Sequence, residues 1–209
     1  MPNSEPIRVL CVDDHPLVRD GVRLALHLEN DMQLVGEASN GLEAIAAFRK
    51  FRPTVTLMDL KMPLMDGMDA TAAIREEFPK SKIVILTTYS GDVKASRALQ
   101  LGVAGYLLKG LPRRELIDAI RGVRMGQRRI PSDIAADMAE HYSADELSPR
   151  ELEVLRQVAG GNANKIVADN LYICEDTVKG HMKNVLAKLQ ASDRTHAVMI
   201  ALKRGFLDA

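Results

Sequence analysis

Apolar and polar residues alternate in two rhythms along the chain, and the change of rhythm divides it. Up to about residue 124, short β-branched or aliphatic runs lie at 7–12, 34–37, 55–58, 83–87 and 105–108. Between them, apolar residues recur every three or four positions, the spacing of a helix with one buried face. Val18, Val22 and Leu26 form one such stripe, Leu42, Ile45, Ala46 and Phe48 a second, and Ala70, Ala73, Ile74 and Phe78 a third. Two more helices fit at about 93–101 and 113–125. Strand–helix alternation five times over predicts an α/β unit with a parallel sheet, because helical crossovers cover both faces of the strands they connect. The near-continuous apolar runs IRVLCV and IVILT fit strands buried on both sides. Ligands of such sheets bind at the carboxyl ends of the strands, near the point where strand order reverses.

Beyond residue 124 the strand rhythm is lost. Residues 125–147 read as a linker with one short helix at about 132–142, after Pro131. Residues 148–209 are helical only. Ser148-Pro149-Arg150-Glu151 is a capping box with proline at the first helical position, and that helix stops at Gly160-Gly161. Three further helices follow at about 164–170, 175–189 and from Ser192 or Asp193 to Gly205. In the third of these four, Val178, Met182, Val185 and Leu189 repeat at a 4-3-4 spacing that must face a core. Lys179 and Lys183 lie on a neighbouring face with Gly180 between them. A short helix, a turn and a helix with basic residues in its first half is a helix-turn-helix pattern. The ordinary alternative is that these lysines only keep an exposed face solvated. The expected division is therefore 1–124, 125–147 and 148–209.

Charge sharpens this division. The 28 basic and 28 acidic side chains give no net charge, which excludes a chain-wide polycation as the basis of nucleic-acid binding. By segment the net charge is +1 over 1–124, −3 over 125–147 and +2 over 148–209. An apolar content of 46% excludes a disordered chain. No apolar run approaches the roughly 20 residues of a membrane span, and the first residues carry no secretory pattern, so the expected location is cytoplasmic with no membrane partner. Cys11 and Cys174 sit in unrelated apolar contexts; two buried, reduced thiols are expected rather than a disulfide.

Five side chains at predicted strand ends carry the chemistry. Asp13 and Asp14 follow the first strand, Asp59 the third, Thr87 closes the fourth and Lys109 follows the fifth. Crowded carboxylates repel one another unless a cation intervenes, and hard oxygen ligands with room for water suit Mg²⁺. The Thr87 hydroxyl and Lys109 ammonium are groups that hold phosphoryl oxygens. Attack by a carboxylate on phosphorus to give an aspartyl phosphate is the chemistry implied. One acid at a strand end is usually a mere turn residue; five chemically matched positions in this order are harder to reach by accident.

These residues also carry a resemblance. The segments VDDHPLVRDG, LMDLKMPLMDG, ILTTYSG and GVAGYLLKG resemble the receiver domain of bacterial two-component response regulators over about 7–124. The resemblance implies a flavodoxin-like fold with strand order 2-1-3-4-5. By position it implies Asp59 as phosphoacceptor, Asp14 as a direct Mg²⁺ ligand, Asp13 acting mainly through water and the Lys61 carbonyl as a further ligand. Thr87 and Lys109 would contact the phosphoryl group, and Tyr106 matches an aromatic switch coupled to Thr87; its plain alternative is a half-buried strand aromatic. Two positions depart from the commonest pattern. Gly110 follows Lys109 where proline is usual, and Thr88 is bulkier than the frequent alanine. Thr88, with Lys61 and Tyr89 at the same opening, is expected to set how long Asp59 stays phosphorylated.

The segments LSPRELEVLRQVAGGNANKIVADNL and TVKGHMKNVLAKLQASDRTHAVMIAL resemble the four-helix DNA-binding domain of LuxR-type regulators. Together the two resemblances indicate the NarL/FixJ class: a regulator of double-stranded promoter DNA, phosphorylated by a histidine kinase and dimeric when phosphorylated or DNA-bound. By position, Lys179, Gly180 and Lys183 would face the major groove, the lysines donating to guanine, while Thr177, Asn164 and Lys165 would contact phosphates. His181 is expected to pack or cap. Cys174 replaces the usual serine cap of the recognition helix and is a poor acceptor there; Glu175 or Asp176 would compensate through the helix dipole. Val198, Met199 and Leu202 of the last helix are expected dimer contacts, or else core. Slow self-dephosphorylation is the only catalysis expected. Two rival readings stay open at this point: a Mg²⁺-dependent phosphotransferase or phosphatase using the three acids, and a regulator that acts without phosphorylation.

Overall fold

The computed structural model describes residues 5–88, 91–141 and 147–207. The chain forms two compact units, Met1–Tyr89 with Ala95–Ser132, and Ser90–Lys94 with Asp133–Ala209.

In the first unit, β1 (Ile7–Val12), β2 (Met32–Ala38), β3 (Val55–Met58), β4 (Ile83–Thr87) and β5 (Gly105–Leu108) form one parallel sheet of order β2-β1-β3-β4-β5. The helices between and after them are α1 (Pro16–His27), α2 (Gly41–Phe51), α3 (Gly67–Glu77), α4 (Asp92–Gln100, in this unit from Ala95) and α5 (Arg113–Arg124). Side chains alternate across a strand, and here both faces are covered. Val9, Cys11, Leu57, Val84 and Leu86 pack with Val22 and Leu26 of α1 and Ile117 and Ile120 of α5. The intervening Leu10, Met58, Ile83, Ile85 and Tyr106 are buried on the other face. Strand order reverses between the neighbours β1 and β3, so the segments leaving them cross to opposite faces and open a crevice at their carboxyl ends.

Two sequence expectations need correction. The edge strand β2 starts at Met32 rather than 34, because backbone pairing of Met32 and Gln33 with Ile7 and Arg8 carries it through a polar residue that breaks the apolar run. In α2 the buried face is Gly41, Ala44 and Phe48, whereas Leu42 and Ala46 are exposed. The Asn40 side chain caps this helix by accepting from Glu43 N, which fixes the phase of its first turn and turns Leu42 outward. Phe48 instead stacks on Phe78 with ring centroids 5.0 Å apart.

The segment after α5 turns back along the sheet: Tyr106 N donates to Arg129 O at 2.7 Å and Arg129 N to Ala104 O at 3.1 Å. The next helix, α6, spans Ser132–Glu140; its expected end at Tyr142 lies outside the described residues. In the second unit, α7 (Pro149–Ala159), α8 (Asn164–Leu171), α9 (Glu175–Lys188) and α10 (Arg194–Arg204) surround a core of Val154, Leu155, Val158, Val167, Val178, Met182, Val185 and Leu189. Each such fully buried aliphatic side chain contributes about 1.5–3 kcal/mol. The capping box at Ser148 and Glu151 is formed in both directions, and Gly205 ends α10 in the left-handed conformation.

Candidate functional site

The five strand-end residues converge. Asp59 N donates to Val12 O at 2.9 Å and Asp13 N to Ala38 O at 3.0 Å, so sheet pairing continues one residue past the strands and holds both acids in register. Lys109 reaches across from the end of β5. Its Nζ stands 2.8 Å from Asp59 Oδ2 and 2.9 Å from Asp13 Oδ2. The other Asp59 oxygen accepts from Leu60 N at 2.8 Å. Asp13 and Asp59 are almost wholly buried, as is Thr87 at the end of β4. Burial pushes the Asp59 carboxyl up and the neighbouring Asp13 charge adds to this, against the pull of Lys109. Burial alone would lower the Lys109 ammonium, but its bonds to Asp59 and Asp13 outweigh that and raise it, so the cation persists.

The donor set fits a hard divalent cation. Among the described residues, Asp13, Asp14, His15 and Asp59 each offer a ligand atom, all within 4.8 Å of one another. Asp13 Oδ2 has the Lys109 ammonium at 2.9 Å as its partner, and Asp14 Oδ1 has the His15 imidazole at 2.6 Å. Three clustered carboxylates face one lysine ammonium, an excess of negative charge that a divalent cation would offset.

The supporting residues were less legible. Arg19 donates to the Asp13 carbonyl at 2.7 Å and so holds the loop after β1. Gly67, the first residue of α3, lies so close to Asp59 that a Cβ there would stand 1.8 Å from the Asp59 carbonyl oxygen. His15 Nδ1 lies 2.6 Å from Asp14 Oδ1. The DD pair followed by histidine was visible in the sequence, but nothing in the spacing said that the imidazole folds back onto the acids. Tyr106 is fully buried rather than half-buried. Burial, with the Asp59 charge second, raises its phenol above the usual range and keeps it neutral. Lys61 and Thr88 are exposed beside these acids in sequence, and Tyr89 lies outside the described residues. Gly110 takes φ +91°, a left-handed turn that proline cannot make, and the described peptide bonds are all trans.

In the second unit, Asp176, Lys179, Gly180, Lys183, Asn184 and Ala187 are exposed along one face of α9, while Val178, Met182 and Val185 are buried on the other. An alanine Cβ at Gly180 would meet nothing within 4 Å. Thr177 and Lys165 are exposed, Asn164 and His181 half-buried. Lys179 Nζ lies 3.0 Å from Asp176 and 3.6 Å from Glu175, so its charge is offset within the first turn of α9. Cys174 is exposed, contrary to the expectation of a buried thiol: at a helix N-cap its side chain projects outward, whatever its sequence neighbours. Its Sγ lies 2.9 Å from Thr177 Oγ1 and caps no backbone amide. The Thr177 hydrogen bond holds the thiol below its usual pKa. Cys11, by contrast, is buried, and desolvation pushes its thiol up to about 12. In α10, Met199 is 64% and Leu202 39% exposed, whereas Val198 packs against the core of this unit.

The family model for the response regulator receiver domain matches residues 9–121, and that for bacterial regulatory proteins of the luxR family matches residues 145–201. The chain is 39% identical to the transcriptional regulatory protein YxjL of Bacillus subtilis, covering 98% of this chain and 99% of that one. It is 37% identical to the response regulator protein VraR of Staphylococcus aureus, covering 96% and 99%. Among solved structures, the complex of the two-component response regulator RcsB with DNA is similar with a TM-score of 0.71 at 26% identity, covering 95% and 99%. An acid pocket at the ends of a 2-1-3-4-5 sheet and an exposed basic helix face thus lie on one chain with full-length relatives. The chain belongs to the NarL/FixJ class of two-component response regulators, transcription regulators in which a receiver domain phosphorylated by a histidine kinase is joined to a LuxR-type DNA-binding domain.

Proposed function

We propose that Asp59 is the phosphoacceptor of this regulator and that its phosphorylation governs DNA binding by the exposed face of α9. The observation that carries the reading is the bridge made by Lys109 Nζ between Asp59 and Asp13. A fixed ammonium at the acceptor oxygen is where charge accumulates as a phosphoryl group arrives. One Asp59 oxygen forms the new O–P bond while the N–P bond to the kinase histidine breaks, and the Leu60 amide keeps the second oxygen oriented. Asp13, Asp14, Asp59 and the Lys61 carbonyl would hold Mg²⁺, which supplies neutralisation of phosphoryl oxygens. Thr87 and Lys109 then hold the transferred group, and the Thr87 hydroxyl is the mover to which the buried Tyr106 responds.

Residues 1–124 act as receiver and 148–209 as reader, in the cytoplasm, with 125–147 as the connection; the backbone pairing of Arg129 with the edge of β5 anchors the start of that connection to the sheet. In the reader, Lys179, Gly180 and Lys183 face base edges, and Thr177, Asn164 and Lys165 meet phosphates. Met199 and Leu202 supply the homodimer contact, with Val198 committed mainly to its own core. The RcsB–DNA complex supports both DNA binding and pairing of copies.

Titration with acetyl phosphate or beryllofluoride in Mg²⁺, read by promoter binding and by sizing, tests the reading. The expected result is one phosphoryl per chain, DNA affinity raised about tenfold or more, and loss of both in Asp59→Asn. Unchanged DNA binding despite full phosphorylation would leave a phosphorylation-independent regulator, and release of phosphate from small esters would mark a phosphatase. The same samples report the slow self-dephosphorylation, which Lys61→Ala and Thr88→Ala are expected to accelerate by opening the approach of water.

A further inference from the structure

We infer that His15 is a protein ligand of the cation site beside Asp13, Asp14 and Asp59, and that its imidazole gives the pocket a relative preference for borderline transition-metal ions such as Ni²⁺ over Mg²⁺. The inference rests on the proposed cation site and adds a nitrogen donor to its oxygen set. Four observations carry it. His15 Nδ1 is one of the four ligand atoms that lie within 4.8 Å of one another. Ligands of an octahedral ion at 2.0–2.1 Å stand about 2.9–4.2 Å apart, so small shifts, closing the widest separations and opening the His15–Asp14 contact, would let the cluster share one ion. The ring nitrogen is 2.6 Å from Asp14 Oδ1 and 3.4 Å from Asp13 Oδ1, on the acid side of the loop.

The backbone fixes this placement. His15 N donates to Asp13 Oδ1 at 3.0 Å, and Pro16 sets the following φ at the start of α1. His15 stands at the N-cap but makes no side-chain cap, so the imidazole turns toward the carboxylates rather than toward the helix amides. The fourth observation is independent of the histidine: the carboxylates of Asp13, Asp14 and Asp59 cluster against a single ammonium, Lys109, which pairs with Asp13 and Asp59 and leaves the site an excess of negative charge.

Chemistry sets the direction of the effect. Carboxylates and water suit Mg²⁺, whereas imidazole suits nickel, zinc, copper and iron, and affinity rises from Mn²⁺ to Ni²⁺ for a given nitrogen-containing site. One exposed side chain thus separates this pocket from an all-oxygen one. It admits ions whose exchange and charge polarisation differ from those of Mg²⁺, so metal supply becomes an input to the phosphorylation switch.

Calorimetric titration of the full chain with MgCl₂ and with NiCl₂, in wild type, His15→Ala and His15→Gln, measures the preference. Asp14→Asn in parallel subtracts Ni²⁺ bound elsewhere. The expected result is a Ni²⁺ affinity at the Asp14-dependent site about tenfold lower in both His15 variants, with Mg²⁺ affinity changed less than about twofold. Pulsed electron paramagnetic resonance of the Mn²⁺-loaded protein gives a second readout: ¹⁴N coupling in wild type that both variants lose. If Mg²⁺ binds and Asp59 accepts phosphoryl, yet the Ni²⁺ to Mg²⁺ ratio and the nitrogen signal are the same in all three proteins, His15 only orients Asp14 and the inference is overturned. If no divalent ion binds the wild type at an Asp14-dependent site, the cation site itself is wrong.

Discussion

Replacing Gly67 by alanine adds one methyl group against the backbone of Asp59, the proposed phosphoacceptor, and the distances set the scale of the damage. The new Cβ would stand 1.8 Å from the Asp59 carbonyl oxygen, 2.9 Å from its carbon and 3.1 Å from Leu60 Cα. Atom pairs of this kind essentially never approach below 3.0 Å, so the two segments must part by about 1.2 Å. Every atom in the clash is backbone, so no rotamer change relieves it. Parting also stretches the Gly67 N to Leu60 O hydrogen bond of 2.9 Å and moves Asp59 away from Lys109. Overpacking in a tight core typically costs 1–3 kcal/mol and more when backbone must move; about 3 kcal/mol is expected here. For a unit of this size that lowers the melting temperature by roughly 10 °C. A displacement of about 1 Å at a reacting group costs on the order of a hundredfold in rate.

Gly21→Ala is the matched control. Gly21 lies within α1 on an exposed face, and a Cβ there meets nothing within 4 Å. The same chemical change should stabilise that helix by up to about 1 kcal/mol. Thermal unfolding of both variants by circular dichroism, with acetyl phosphate labelling of each, gives the comparison. If Gly67→Ala melts with Gly21→Ala and labels at the wild-type rate, then close packing of α3 on the Asp59 backbone is not what positions the acceptor.

Three further outcomes are expected. Burial alone would raise the Glu151 carboxyl, but hydrogen bonds from Ser148 and the Lys188 ammonium at 2.9 Å hold it below its ordinary 4.5. A depressed folded pKa means that this stability is full above 4.5 and is lost as pH falls through the lower folded value; thermal melts of a 145–209 fragment should show a gap between wild type and Glu151→Gln at pH 7 that closes on acidification in that window. Cys174→Ser should stabilise the reader by about 0.5–1 kcal/mol, because the present thiol caps no amide of α9 while its extended backbone suits a hydroxyl cap; an unchanged melt would show that Thr177 already satisfies that end. Asp176→Asn should strengthen binding to mixed-sequence DNA by a few-fold at low salt, since it frees Lys179 from an exposed partner at 3.0 Å, and the gain should vanish at high salt; a salt-independent gain would point to altered helix packing instead.

Elements whose pattern is carried by side chains were legible in the sequence; contacts made by backbone were not. Four of the five strands fall where the apolar runs lie, because strands buried on both faces write themselves as continuous apolar sequence. The edge strand β2 is half exposed and held by pairing, so its first two residues escaped the pattern. The convergence of Asp13, Asp59, Thr87 and Lys109 followed from the rule that strand ends of a parallel sheet gather on one edge. The packing of Gly67 on Asp59, the Arg19 bond to the Asp13 carbonyl and the Arg129 return beside β5 involve main-chain atoms that no side-chain pattern reports. Cys174 misled for a related reason. Apolar neighbours in sequence predicted burial, but helix phase decides exposure, and the residue before α9 points outward while Val178 points in.

The electrostatics of α9 also bear on why such a reader would be joined to a switch. Each lysine that replaces a counterion on DNA contributes to affinity in proportion to its net neutralisation of phosphate. Here Lys179 already has Asp176 and Glu175 as partners, leaving Lys183 as the less encumbered cation of the exposed face. Exchanging carboxylate for phosphate partners returns little free energy at an exposed site. A single reader with a net charge of +2 is therefore expected to bind DNA weakly, with non-specific binding, which rests on charge, suppressed most. Two readers held together act on adjacent half-sites at an effective concentration near the millimolar range, so weak contacts multiply without any new contact being made. Under the proposed mechanism, phosphorylation of Asp59 need not strengthen a single protein–DNA contact. It needs only to shift the balance between separate and paired copies, and a reader that is poor alone makes that shift decisive.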